Sequence, residues 1–150
     1  MLRIAALVSS IVSLLMAFSS MASAETALLE KFQDAGYTMA QHYQTFSCSI
    51  YADRVEIQRT FGGDGIGTHE VRAIQWTGAV ADLVAKARLE TFEAEPTICD
   101  GPQVSIQVPR QLSGDEYLIF GSSTCNVDGK RKGEASTVLI NIVNALCGEM

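Results

Sequence analysis

Thr26-Ala27-Leu28-Leu29-Glu30-Lys31-Phe32-Gln33-Asp34-Ala35-Gly36 is the stretch on which the fold class turns. Within and beyond it, Leu28, Leu29, Phe32, Ala35, Met39, Tyr43 and Phe46 recur at three- and four-residue steps. That spacing places apolar side chains on one face of a 3.6-residue period and predicts an amphipathic helix over residues 26–45. Gly36 weakens such a helix at its middle.

On the C-terminal side the pattern changes period. Over residues 50–61, Tyr51, Val55, Ile57 and Phe61 fall at even spacing with Arg54, Glu56 and Gln58 between them, the mark of a half-buried strand. Gly62-Gly63-Asp64-Gly65-Ile66-Gly67 interrupts it, and a second strand over residues 71–77 puts Ile74 and Trp76 on one face. Thr77 is placed to cap a helix over residues 78–89, whose stripe is Val80, Leu83, Val84 and Ala87. Val104, Ile106 and Val108 alternate with Ser105 and Gln107, and residues 117–120 form the returning strand of a second hairpin. Over residues 134–146, Val138, Leu139, Ile142, Val143 and Leu146 make a last helix whose β-branched content leaves its stability to packing. The expected order is therefore helix, hairpin, helix, hairpin, helix: an α+β fold with about four antiparallel strands and helices packed on the sheet.

On the N-terminal side lies an address. Arg3 precedes an apolar run, and Ala22-Ser23-Ala24 supplies the small-x-small pattern of a signal peptidase site, so residues 1–24 read as a signal peptide cleaved before Glu25. A retained anchor is the competing reading, but the run is shorter than the roughly 20 apolar residues of a span. Residues 25–150 are then a single domain in the periplasm or outside the cell. Without Arg3 the chain keeps 10 Lys and Arg against 17 Asp and Glu, a net charge of −7. This sign disfavours nucleic acid and anionic membrane surfaces as partners. The basic run Lys130-Arg131-Lys132 reads as a solvated loop, and Glu90, Glu93 and Glu95 as an acidic surface stretch.

The four cysteines of an exported chain are expected as two disulfides. A hairpin turn near Leu112 pairs residues whose numbers sum to about 224, which Cys99 and Cys125 satisfy. Cys48 and Cys147 then pair by exclusion. No Cys-x-x-Cys is present, so both read as structural staples.

Chemistry-bearing motifs are few. His42 and His69 are the only histidines, and neither a His-Glu-x-x-His nor a Cys/His metal spacing occurs, so no metal or cofactor is expected. His42 beside Tyr43 reads as structural. Asn126-Val127-Asp128-Gly129 fails as a calcium loop, since Lys130 and Thr137 stand where ligands belong, and reads as a turn, as does Asp100-Gly101-Pro102. His69 shares its glycine-rich loop with Asp64 and Glu70, either of which would orient an imidazole for general-base work in a small hydrolase-like enzyme. No Gly-x-Ser-x-Gly elbow or Gly-x-Gly-x-x-Gly phosphate loop accompanies it. Lacking a convergent nucleophile, base and metal set, the chain reads first as a binding module, an inhibitor or interaction partner of an envelope or secreted protein. Phe61, Asp64, Ile66 and His69 are its expected contacts. A purely structural envelope component is the third class.

Arg59-Thr60-Phe61-Gly62-Gly63, then a loop, a short strand, the helix ending at Leu89, a Pro-bearing turn, a hairpin and a final helix, resembles the layout of the emfourin-type inhibitors of thermolysin-like metalloproteases. The resemblance implies a protease as the kind of partner.

Overall fold

Val55 and Ile57 are buried as their alternation predicts, and the strand that carries them, β3 (Arg54–Phe61), belongs to one wide sheet. A computed structural model describes residues 25–36, 42–62, 65–75, 79–97, 101–109, 117–122 and 128–148. Its strands are β1 (Leu29–Asp34), β2 (Gln44–Ile50), β3, β4 (Ile66–Ala73), β5 (Thr91–Glu95), β6 (Gln103–Val108), β7 (Tyr117–Ser122) and β8 (Asp128–Lys132). All eight form a single antiparallel sheet in the order β4-β3-β2-β1-β6-β7-β8-β5. The helices are α1 (Ala79–Leu89) and α2 (Glu134–Cys147).

This overturns the expected four strands and three helices. The first helix does not exist: its described residues include β1 and the start of β2. In β1 the inward positions are Leu29, Lys31 and Gln33, all buried, so the true period is two. Two of those three are polar, and a hydrophobicity pattern cannot register them. The glycine that weakened the helix marks the end of β1. Gly36 has φ 73°, and a Cβ there would come within 2.0 Å of the Gly101 carbonyl oxygen, so only glycine fits.

Two charged runs are also strands. Lys130-Arg131-Lys132, expected as a loop, lies in β8, and the acidic stretch after Leu89 becomes β5, with Glu93 facing Lys130 and Phe92 facing Arg131. Asp128 and Gly129, expected in a turn, begin β8. Opposite charges on facing strands, including the Lys132–Glu93 ion pair, replace the apolar alternation that announces a strand elsewhere. β4 begins at Ile66, earlier than the expected position 71, so the first hairpin is tighter than its glycine run suggests. Its former partner residue Trp76 lies outside the described residues.

The core is continuous from sheet to helices. Leu29, Phe46, Ile50, Val55, Ile57, Ile106, Val108 and Ile119 meet Val80, Val84 and Ala87 of α1 and Leu139 and Val143 of α2. Complete burial of each large aliphatic residue contributes about 1.5–3 kcal/mol. Both helices thus cover one face of the sheet and pack on each other. The helical stripes of the sequence hold: Val80, Val84 and Ala87 are buried in α1, Leu139 and Val143 in α2. Cys48 of β2 and Cys147 at the end of α2 form a disulfide with Cα atoms 5.8 Å apart. It is the single disulfide among the described residues, and Cys99 and Cys125 lie outside them. The β6–β7 register differs from the one expected: Val104 faces Ser122, not Phe120, and a bulge follows at Ile106 and Gln107.

Both ends of α2 are closed by distant side chains. Its N-cap position is Gly133, which has no side chain to offer, and Glu90 takes over: its carboxylate accepts the N–H of Ala135 at 2.9 Å and of Ser136 at 3.0 Å. A Cβ on Gly133 would lie 2.0 Å from the Glu90 carboxyl carbon, so glycine admits the cap. At the other end, Lys31 donates to Asn144 Oδ1 at 3.0 Å and to the Gly148 carbonyl at 2.8 Å, and Arg72 donates to the Leu146 carbonyl. Cations belong there, where the helix dipole is negative. Among the described residues no helix is long and apolar enough to cross a membrane.

Candidate functional site

The β3–β4 hairpin carries most of the residues singled out in the sequence. Phe61 closes β3 and faces Ile66, the first residue of β4, across the strand pair. Facing residues share one side of a sheet, so the two form an apolar pair at the tip, 42% and 70% exposed respectively. Asp64 lies outside the described residues. The tip is tied to the body, because Gly62 N–H donates to the Tyr43 carbonyl at 2.7 Å. Tyr43 is itself exposed, and its hydroxyl donates to Asp34, whose other oxygen accepts Gly36 N–H at 2.6 Å. The hydrogen bond to Asp34 pushes the Tyr43 hydroxyl above its ordinary value, with burial and the carboxylate's charge acting in the same sense.

His69 and Glu70 are adjacent on β4 and therefore project to opposite sides of the sheet. His69 faces Gln58 and is exposed; Glu70 faces Ile57 on the helix-covered side. There Glu70 meets Arg72 at 3.0 Å and Arg59 at 3.9 Å. Arg59 in turn lies 5.2 Å from the Phe46 ring centre, and Arg72 caps α2. Glu70 thus belongs to an arginine cluster that fastens β4 to the helix layer, and it does not orient the His69 imidazole. His42 is exposed at the approach to β2.

Sequence reasoning missed Val71 as a surface residue. It is 53% exposed on the open side with His69. More broadly, β4 stands at the edge of the sheet, and all eight of its residues are exposed. No strand pairs with its outer side among the described residues, so alternate N–H and C=O groups face outward. The signal available in the sequence was the alternation of Ile66, Thr68, Glu70 and Arg72 with Gly67, His69, Val71 and Ala73, which has no strongly apolar face. A strand of that composition belongs at an edge.

Among the described residues, no group of three or more His, Cys, Asp or Glu side chains is arranged to hold a metal ion. Of the layout that resembles the emfourin-type inhibitors, the helix ending at Leu89 and the final helix are present, and β5 and β8 are strands outside it. Comparison with protein-family models, with curated proteins and with solved structures finds no match for the chain in any of the three.

Proposed function

We propose that the protein is an exported binding module that accepts an extended segment of an envelope or secreted partner along the outer edge of β4. The observation that carries this reading is the eight-residue edge strand, exposed throughout, that begins at an apolar tip. Strand addition uses the outward N–H and C=O groups for affinity and alternate side chains for specificity. Phe61 and Ile66 serve as the apolar anchors on the helix-covered side of the strand, with His69 and Val71 as contacts on the opposite, open side. The arginine cluster and the Gly62 to Tyr43 hydrogen bond hold the strand rigid, which lowers the ordering cost of binding. An inhibitor is one specific form of this activity. Export is supported by the pattern of residues 1–24 and by the Cys48–Cys147 disulfide, a bond that persists in oxidising compartments.

The test is capture of a partner from cell-envelope extract, followed by hydrogen exchange on the purified pair. Ile66→Asp is expected to weaken capture at least tenfold without lowering the melting temperature, and residues 66–73 gain amide protection in the complex. Undiminished capture by Ile66→Asp, or protection confined to other strands, overturns the reading.

A further inference from the structure

At the opposite end of the sheet, a cleft of about 450 Å³ opens between β7, β8 and the first half of α2. This falls within the roughly 300–1,000 Å³ of small-molecule sites. Its apolar wall is Phe120 of β7 and Ile140 of α2, both half-buried. Its polar wall comes from Lys130 and Lys132 of β8 and from Thr137 and Asn141, one turn apart on α2.

The charges around it are unequal in their commitments. Arg131 is consumed by the fold, its guanidinium donating to the carbonyls of Leu118 at 2.9 Å and Glu90 at 2.7 Å. Lys132 is paired with Glu93. Glu93 also faces Lys130 across the strands, but its carboxylate is already held by Lys132. Lys130 therefore keeps an exposed ammonium with no ion pair among the described residues. Thr137 spends its hydroxyl proton on the Gly133 carbonyl at 2.8 Å, leaving oxygen lone pairs, whereas the exposed Asn141 retains amide N–H donors. One uncommitted cation and one amide donor beside an apolar wall suit a ligand with a single negative head and an apolar body.

We propose that this cleft binds a small amphiphilic carboxylate, its head held by Lys130 and Asn141 and its hydrocarbon lying on Phe120 and Ile140. The site is independent of the β4 edge, since five strands separate β4 from β8 in the sheet. A carboxylate near an ammonium of an acidic protein gains from the local sign, not from the net charge, so binding weakens with salt. Diffuse association with any apolar surface would show neither head-group selectivity nor a localised response.

The experiment is a titration of the ¹⁵N-labelled, oxidised chain with octanoate, read by amide shifts of residues 137–141, with 1-octanol and acetate as comparison probes. Octanoate is expected to shift these amides saturably, with 1-octanol and acetate each at least tenfold weaker. Lys130→Glu is expected to weaken octanoate at least tenfold at an unchanged melting temperature, and Ile140→Ser to do the same if the variant stays folded. Absence of a saturable shift at residues 137–141, equal binding of 1-octanol, or unimpaired binding by Lys130→Glu overturns the proposal. Because the readout is local to α2, failure here leaves the β4 capture result unaffected, and the reverse holds as well.

Discussion

Lys31, only 2% exposed on a central strand, donates its ammonium to the Gly148 carbonyl at 2.8 Å and so fastens the last turn of α2 to the middle of the sheet. The same ammonium reaches Asn144 Oδ1 and lies 5.9 Å from the centre of the Phe46 ring. A lysine is tolerated there because its stem packs among apolar neighbours while its charged head meets the helix C-terminus.

Lys31→Ala removes both the stem and the charged hydrogen bonds, and is expected to cost about 2–4 kcal/mol. Lys31→Met keeps the stem and abolishes the charge, and is expected to cost less than about 2 kcal/mol. Chemical denaturation of the two variants separates the contributions. Equal losses would mean that the charged cap, not the packing of the stem, holds this end of α2.

Glu90 links pH to the other end of the helix. Burial raises its carboxyl pKa, but the backbone N–H groups of Ser136 and Ala135 and the charge of Arg131 outweigh burial and hold it below the ordinary 4.5. A group whose folded pKa is depressed contributes stability that is complete above its unfolded value and is lost as pH falls through the folded value. The stability gap between wild type and Glu90→Gln is therefore expected to be constant near neutrality and to shrink below about pH 4.5. At neutral pH, Glu90→Ala is expected to cost about 1–2 kcal/mol, the loss of an N-cap. Gly133→Ala displaces the same carboxylate, so its cost should largely vanish in the Glu90→Ala background, which a double-mutant cycle measures.

The Cys48–Cys147 bridge spans 99 positions of the chain, so it restricts the denatured ensemble strongly. Replacing both cysteines with alanine is expected to lower stability by about 3–5 kcal/mol. In hydrogen exchange, amides at the end of α2 should lose more protection than those of α1, because α1 has no covalent tie to the sheet among the described residues. Uniform loss across both helices would show that α2 docks without the bridge.

How much of this was legible beforehand depended on what occupied the inward positions. β3, β6, β7 and both helices present Val, Ile or Leu to the core, and their periods are visible without a structure. In β1 the inward set includes Lys31 and Gln33; in β8 the strand is basic and in β5 acidic, so each hides its period. The candidate site divides in the same way. Phe61 and Ile66 were named from the sequence as contacts beside a glycine-rich run, whereas their pairing across the strands and the separation of His69 from Glu70 required knowing the register of β3 and β4.

By itself the sequence determined the two helices and the apolar strands, because each rests on local periodicity, and it reached the Cys48–Cys147 partnership only by exclusion. Only the tertiary structure decided that residues 29–34 and 44–50 are two strands, that the charged runs pair with each other, and that β4 is left at an edge. The physical reason is that Lys31 is satisfied by Asn144 and Gly148, and Glu90 by Ala135 and Ser136, partners dozens of residues away. A polar side chain becomes a core or capping residue only when such a distant partner arrives, and no local pattern announces it.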